Sequence, residues 1–268
     1  MSSRISIPRG IPPPLSDELS MLFSDYFDRF VRNDPVYLGL NCVTWNPPFL
    51  GERLSLLPPE LTPELVLRSP LDKVSCRIMT CWNVSERTAR VDEFLVKLFS
   101  TRLFGQVYET LFARNATQLT RQRFEWAFKQ VWFGQYSWDN LSNRRLQTCG
   151  FQHIYIGEKE GSRVKGLHNW VRYYLLEKCA RLVLEKVHRK HPGLHLASMR
   201  FRWDEAVKPY GTIFFGIPID FEILLFFCAF LIGSSRDVNF LIDGKLVTVV
   251  CYDAASRADT LATAYFRY

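Results

Sequence analysis

The stretch from Val238 to Cys251, VNFLIDGKLVTVVC, decides how the second half of this chain folds. Its two runs, 238–242 and 245–251, are rich in the aromatic and β-branched side chains typical of strands. Asp243-Gly244 separates them, and this dipeptide is a strong signal for a two-residue hairpin turn. The second half is therefore expected to be rich in β-sheet. Other strand-like runs cover 150–157, 196–203, 212–217 and 260–266, with a short one near Val164.

The first half shows helical periodicity instead. Apolar residues recur every three or four positions from Ser16 onward, which predicts a helix there. Asn83, followed three residues later by Glu86, predicts the start of another helix. Residues 35–75 are proline-rich and lack a sustained period, so loops and short turns are expected. Further helices are predicted through 104–111, from about Thr120, and from Asn169 to about Lys190, just before Pro192 and Gly193.

These patterns together predict an α+β fold in three parts. Residues 1–14 contain four prolines and form a flexible arm. Residues 15–147 form a helical N-terminal lobe. Residues 148–268 form a sheet-rich α+β lobe, and the two lobes make one domain.

Composition and charge indicate which molecules the protein could bind and where it is located. The chain has 268 residues, a net charge of +7 and a pI of about 9.1, which suits a polyanion such as RNA or an acidic membrane surface. Seven cysteines form no CxxC pair, so a zinc ribbon or a disulfide framework is not expected. Buried, reduced thiols and the lack of a visible signal peptide favour an intracellular protein.

One apolar segment, residues 213–233, is long enough to span a bilayer. Asp220 and Glu222 lie near its middle, and each carboxylate at the bilayer centre costs roughly 2.5–3.5 kcal/mol. No membrane span is therefore expected. We predict a buried strand across 213–217, a turn at Pro218, and a core helix capped by Asp220.

Five histidines offer two candidate sites. The group at 188, 191 and 195 superficially resembles a metal site, but a basic helix terminus able to contact phosphates is the better interpretation. His153, His168 and Lys208 suffice in principle for RNA cleavage. One imidazole removes the ribose 2′-hydroxyl proton, the other protonates the departing 5′-oxygen, and the amine stabilises the phosphoryl charge. Residue types alone favour a structural role for a strand histidine such as His153.

Five ordered motifs resemble those of the EndoU (XendoU-like) endoribonucleases. Residues 151–158, FQHIYIGE, are similar to the family's FEHVFVGE, and residues 164–170, VKGLHNW, to its VxGFHNW. The other three are 201–212, FRWDEAVKPYGT; 215–222, FGIPIDFE; and 262–265, ATAY. The resemblance extends over roughly residues 15–268 and is most specific after residue 150.

The resemblance implies that residues 148–268 are the catalytic lobe. His168 would be the base, His153 the acid and Lys208 the charge-stabilising cation. Cleavage would leave a 2′,3′-cyclic phosphate and a 5′-hydroxyl, with single-stranded uridine-containing RNA as the partner and a monomer as the favoured state. The implied substrate-binding residues are Thr212, which reads the uracil edge, and Thr263 and Tyr265, which line the same pocket. Tyr210 is a further candidate for substrate binding, and a structural role for it stays open.

Gln152 departs from the family pattern, which has glutamate there. Glutamine can form hydrogen bonds but supplies no charge to His153, so weaker activity or an altered metal response is expected. The resemblance also implies dependence on Mn2+ or Ca2+, for which Glu158 is a weak candidate ligand. The alternatives are a catalytically weak or inactive RNA-binding module on the same fold, and a secreted effector with the same nuclease domain.

Overall fold

The computed structural model describes residues 13–40, 55, 57–58, 60–80, 84–136, 148–233, 237–255 and 257–268. Its helices are α1 (Pro13–Tyr26), π1 (Phe27–Val31), α2 (Pro35–Leu40), α3 (Pro63–Val66), α4 (Pro70–Thr80), α5 (Val84–Phe99), α6 (Arg102–Ala113), α7 (Arg121–Phe133), π2 (Gln152–Ile156), α8 (Trp170–Lys178) and α9 (Ile219–Ile232). Its strands are β1 (Glu158–Glu160), β2 (Arg163–Lys165), β3 (Leu182–Lys190), β4 (Leu196–Trp203), β5 (Ala206–Phe214), β6 (Asp237–Ile242), β7 (Lys245–Ala254) and β8 (Arg257–Arg267).

The helices pack around α9, the most apolar element of the chain. All but one of its residues are buried, so it has no polar face and serves as the centre of the core. Phe23 of α1 meets Phe221 edge-to-face at 5.5 Å between ring centroids. Phe128 of α7 packs on Phe227 at 4.7 Å. The predicted helices near Ser16, across 104–111 and from about Thr120 correspond to α1, α6 and α7, and their apolar faces lie in the core.

The apolar segment that includes α9 lies in the core, as expected. Across the part of the chain that the structure describes, no helix is both long enough and apolar enough to cross a membrane. The predicted cap was wrong, because Pro218 occupies the N-cap and Asp220 lies inside the first turn. There the Asp220 carboxylate accepts a hydrogen bond from the Tyr26 hydroxyl at 3.1 Å.

Two sheets form the second half. A five-stranded sheet has the order β1-β2-β5-β4-β3, and a three-stranded sheet has the order β6-β7-β8. The predicted hairpin is confirmed: β6 pairs with β7 antiparallel, from Asp237↔Val250 to Ile242↔Lys245. Asp243 and Gly244 both have positive φ, at 56° and 66°, as a type I′ turn requires. The α+β fold is therefore confirmed.

Two elements near the site differ from their prediction. The predicted strand 150–157 is a helical turn that ends in π2. The predicted long helix from Asn169 ends at Lys178, and residues 182–190 form strand β3. There Leu184 pairs with Phe201 of β4, and this non-local burial overrides the helical propensity of the segment. The histidine group 188–195 therefore lies on a strand and the loop after it, and the helix-terminus interpretation was wrong.

Other predictions fall in the first half. The loop expected across 35–75 contains α2, α3 and most of α4, so that prediction was wrong for α4 in particular. Asn83 and residues 1–12 of the proposed arm lie outside the described residues, and Pro13 and Pro14 begin α1. The division into lobes stays a prediction. Helices of the first lobe pack directly on strands of the second, α1 against β6 and α7 against β8.

Candidate active site

Backbone hydrogen bonds hold the two motif histidines side by side. His153 lies on π2, and His168 lies in the loop between β2 and α8. The carbonyl oxygen of His153 accepts from Leu167 N–H at 3.0 Å, and that of Ile154 accepts from His168 N–H at 2.8 Å. Because both bonds are between backbone groups, the approach of the two imidazoles is set by the chain path itself. Each histidine is only 6% exposed.

Gly166 makes this close approach possible. Its φ of +62° lies in the left-handed region, and a Cβ there would be 1.8 Å from the carbonyl oxygen of His153. No other residue type fits that space, since even alanine would overlap the carbonyl. The glycine of the VKGLHNW motif is therefore required by the contact between the two histidine segments.

A carboxylate orients His153. Glu158 begins β1, and its Oε2 lies 3.0 Å from His153 Nδ1. Its other oxygen accepts a hydrogen bond from the Thr148 hydroxyl. Burial lowers the pKa of His153, whereas Glu158 opposes that shift by stabilising the protonated ring. This arrangement fixes which ring nitrogen faces the carboxylate.

His168 has a different environment. Burial lowers the pKa of its imidazole well below the ordinary value, and the positive charge of Lys208 adds to that effect. Its Nδ1 is buried and makes no hydrogen bond to any described residue. Tyr265 of β8 stacks on the ring, with centroids 5.5 Å apart and planes inclined by 23°. At neutral pH His168 is therefore neutral and able to accept a proton.

Lys208 supplies the positive charge of the site. It lies on β5 and is 9% exposed, and burial lowers its pKa to about 8. Its charge acts on both imidazoles, lowering the pKa of each. A buried ammonium beside two histidines is positioned to attract an anion into the site.

Buried groups anchor the segment after His168. The Asn169 side chain caps α8 by accepting from Arg172 N–H at 3.1 Å, and it donates to Glu222 Oε2 at 2.8 Å. Trp170 is buried and its indole N–H donates to the Ile217 carbonyl at 2.7 Å. Asn169 therefore caps α8, and Trp170 has a structural role in the core. Complete burial raises the pKa of Glu222 to about 8, so its carboxyl is mostly protonated at neutral pH.

Comparison with known proteins identifies the family. The family described as Endoribonuclease XendoU matches residues 82–266, well over half of the chain. This chain belongs to the XendoU family.

Relatives and solved structures agree with that membership. Poly(U)-specific endoribonuclease-A of Xenopus laevis is 31% identical over 175 residues, which cover 62% of this chain and 59% of that protein. The uridylate-specific endoribonuclease of Homo sapiens is 28% identical over 173 residues, covering 63% of this chain and 41% of that protein. The structure of XendoU matches 93% of this chain and 96% of that chain, with a TM-score of 0.70 and 23% identity, and shows the shared fold. This chain thus aligns with about half of the length of such relatives.

Two of the residues expected to bind uridine, Thr212 and Tyr265, contact His168. Thr212 lies on β5, four residues beyond Lys208, and its backbone contacts His168. Thr263 and Tyr265 are alternate residues of β8 and share one face of the three-stranded sheet. The structure therefore brings Tyr265 and Thr212 to His168 from two different sheets. It does not place Tyr210 there, because that ring is 71% exposed and stacks on His188.

Two residues that lie beside the candidate site residues were not identified by sequence analysis. Tyr252 of β7 pairs with Thr263 across the sheet and lies beside Tyr265. Burial is the main cause that raises the pKa of Tyr265, and the neighbouring Tyr252 raises it further. Its only sequence signal is the register of the β7–β8 hairpin. Glu158 was considered only as a metal ligand, whereas the structure makes it the partner of His153. The carboxylate that Gln152 lacks is thus supplied five residues after the histidine.

The described residues do not form a ready cation site. Among them, no group of three or more histidine, cysteine, aspartate or glutamate side chains is arranged to hold a metal ion. Both oxygens of Glu158 are already engaged, by His153 and by Thr148. The donor set in the described part of the chain therefore does not fit the Mn2+ or Ca2+ ion implied by the resemblance.

Proposed function

We propose that this chain is a uridine-preferring endoribonuclease that cleaves single-stranded RNA by attack of the ribose 2′-hydroxyl. The names of its Xenopus laevis and human relatives, poly(U)-specific and uridylate-specific endoribonuclease, support the substrate class. The observation that carries the proposal is the grouping of two buried imidazoles with one buried ammonium, in which, among the described residues, a carboxylate pairs with His153 and none pairs with His168.

The difference between the imidazoles supports their roles. His168 has no carboxylate partner among the described residues and is held neutral, which suits the base that removes the 2′-hydroxyl proton. The 2′-oxygen then bonds to phosphorus while the bond from phosphorus to the 5′-oxygen breaks. His153 is the group whose protonated form a carboxylate stabilises, which suits the acid that gives its proton to the departing 5′-oxygen. The products are a 2′,3′-cyclic phosphate and a 5′-hydroxyl.

The charge of Lys208 lowers the pKa of both imidazoles. A phosphate bound between the two imidazoles would therefore also lie near the Lys208 ammonium. As negative charge grows on the non-bridging oxygens, the ammonium stabilises the transition state more than the substrate. The phosphate in turn raises the pKa of both histidines toward neutrality, which favours the protonated form of His153 in the complex.

Thr212, Thr263 and Tyr265 are proposed to select uridine. Stacking of a base or ribose on Tyr265 would place the sugar against His168, because the two rings are already in contact. A threonine hydroxyl can both donate to and accept from the edge of uracil. Stacking supplies affinity for any base, and these hydrogen bonds supply the preference.

The test uses a short RNA that contains a single uridine. We expect the wild-type chain to cut on the 3′ side of that uridine and mass spectrometry to show a 2′,3′-cyclic phosphate. His168→Ala should lose the activity, and His191→Ala, which removes a histidine outside the site, should retain it. Equal cleavage by wild type and His168→Ala would refute the assignment. Binding of RNA without cleavage by wild type would favour the RNA-binding module.

The same assay with EDTA, Mn2+ or Ca2+ tests the metal expectation. The family resemblance predicts a rate increase with either ion, whereas the donor set of the described residues predicts no increase, and no step above is assigned to a metal. Gln152→Glu is expected to change the metal-free rate less than twofold, because Glu158 already supplies a carboxylate to His153. A large gain would show that the missing charge at position 152 limits the wild-type chain.

A further inference from the structure

An aromatic pair lies on the five-stranded sheet outside the proposed active site. The rings of Tyr210 on β5 and His188 on β3 stack with centroids 4.6 Å apart and planes inclined by 26°. A ring nitrogen of His188, Nε2, lies 2.9 Å from the carbonyl oxygen of Pro209. This contact holds the imidazole against the segment that carries Tyr210. The tyrosine ring is therefore ordered although it is 71% exposed.

Irregularities in two strands produce this arrangement. The register of β3 shifts between Val187 and Arg189, so His188 is an extra residue in its strand. The register of β5 shifts between Lys208 and Gly211, in the segment that contains Tyr210. Such bulges redirect side chains and commonly occur beside active sites. The directions of the His188 and Tyr210 side chains are thus set by these two bulges.

The surrounding hairpin is strongly basic. Residues 182–203, which form β3, β4 and their connection, contain five lysine and arginine residues and a single carboxylate. That carboxylate, Glu185, pairs with Arg200 at 2.7 Å and with Arg202 at 3.3 Å. The hairpin therefore accounts for much of the net charge of the chain. Its cations are Lys186, Arg189, Lys190, Arg200 and Arg202.

The pair is close to the proposed reaction centre. Tyr210 follows Lys208 by two residues of a strand, so their Cα atoms are no more than about 7 Å apart. RNA bound between His153 and His168 would have its neighbouring nucleotides within reach of this face. A positive surface with an exposed, ordered aromatic ring is the combination that binds single-stranded nucleic acid.

We propose that Tyr210 and His188 form a second base-binding subsite, in which a base outside the two nucleotides joined by the cleaved phosphodiester stacks on Tyr210. Cations of the 182–203 hairpin contact the phosphates of the same flanking segment. This inference rests on the proposed endoribonuclease function and deepens it, because it predicts that RNA longer than a dinucleotide is bound more tightly. Stacking recognises any base, so the subsite adds affinity without adding sequence preference.

The first experiment compares two substrates and three variants. Tyr210→Ala is expected to raise KM for a uridine-containing hexanucleotide about tenfold, within the range for loss of one base stack. It should leave cleavage of a uridylyl dinucleotide unchanged. Tyr210→Phe retains a ring and should match wild type on both substrates. Phe112→Ala is the matched control, because Phe112 is also exposed and stacked, on Tyr108, but lies on α6.

An abasic scan then locates the stacked base. One flanking position should be found where removal of the base raises KM about tenfold for wild type and has no effect on Tyr210→Ala. His188→Ala, which removes the support of the ring, should show a smaller loss at the same position. The cations are tested by Lys186→Gln combined with Arg189→Gln. This double variant should reduce the slope of log Kd against log salt by about 1.4 if each side chain contacts one phosphate.

Binding separates this inference from the proposed function. An RNA with a 2′-deoxyuridine cannot be cut by 2′-hydroxyl attack, so its Kd reports the subsite even if the chain is inactive. Weaker binding by Tyr210→Ala, with Phe112→Ala unchanged, supports the subsite. The inference is overturned if Tyr210→Ala binds the hexanucleotide as tightly as wild type does. It is also overturned if the variant impairs dinucleotide and hexanucleotide cleavage equally, because Tyr210 would then act at the reaction centre.

Discussion

Glu158→Gln tests the proposed division of labour between the two histidines. Glutamine is nearly isosteric with glutamate and still accepts a hydrogen bond from Thr148, so the local packing is preserved. The substitution removes the negative charge that lies 3.0 Å from His153 Nδ1. Burial would then lower the pKa of His153 without opposition, and less of the protonated acid would be present at neutral pH.

The size of the effect follows from one charged hydrogen bond in a largely buried site. Such a bond contributes about 1.5–3 kcal/mol, which corresponds to about 10- to 150-fold in the population of correctly oriented, protonated His153. Since the proton is transferred in the transition state, kcat/KM at pH 7 should fall by the same factor. The direction of the change in the pKa of His153 also predicts how the pH dependence changes. Lowering the pKa of the acid moves the optimum of the bell-shaped profile to lower pH.

Initial rates would be measured on a fluorogenic single-uridine RNA between about pH 4.5 and 9. Glu160→Gln is the matched control, because it removes a nearby carboxylate that pairs with Lys165 at 2.6 Å and is largely exposed. That variant should keep the wild-type profile. An unchanged rate and optimum in Glu158→Gln would refute the reasoning. A loss that is equal at every pH and accompanied by a lower Tm would show that Glu158 has only a structural role.

Three further outcomes are expected. Loss of protonated His153 starts the alkaline decline in wild-type cleavage, and the decline should steepen as the pH rises through about 8, because the pKa of Lys208 is lowered to about 8 and the amine then loses its charge. Lys208→Arg, at a reduced maximum rate, should lack this second decline. Gly166→Ala should abolish cleavage and lower the calorimetric Tm by at least about 2 °C, because its Cβ would overlap the carbonyl of His153 at a left-handed φ. The pKa of Glu222 is raised from 4.5 to about 8 by burial, so the folded state binds its proton more tightly and loses stability as the pH rises through that window. Glu222→Gln cannot ionise, and urea unfolding should therefore show it gaining stability relative to wild type between about pH 5 and pH 8.5.

Local sequence patterns predicted much of the fold. The β6–β7 hairpin follows from Asp243-Gly244, whose left-handed conformations are intrinsic to those residue types. The stripes of α1, α6 and α7 follow from apolar periodicity, because a helix buries one face whatever its partner is. The motifs also indicated His153, His168 and Lys208 as a group, although residue types alone left a structural role open.

Other features depend on contacts between distant segments. An apolar run as short as 150–157 fits a strand or a helical turn equally well, and packing of this segment against α7 and β8 selected the helical turn. Residues 182–190 have helical propensity, yet burial of Leu182 and Leu184 against β4 made them a strand. Propensities are worth a few tenths of a kcal/mol per residue, whereas burial of one leucine is worth about 1.5–3 kcal/mol.

The same distinction applies to the candidate site. The sequence by itself determined which side chains can carry the chemistry, and the VKGLHNW motif contained the glycine that their approach requires. Only the tertiary structure decided which carboxylate serves His153, that Tyr265 contacts His168, and that Tyr210 turns outward onto His188. The physical reason is that hydrogen bonds, ring stacking and the pKa shifts caused by burial depend on distances between segments far apart in the chain. A sequence pattern specifies residue types and spacing, and folding alone sets those distances.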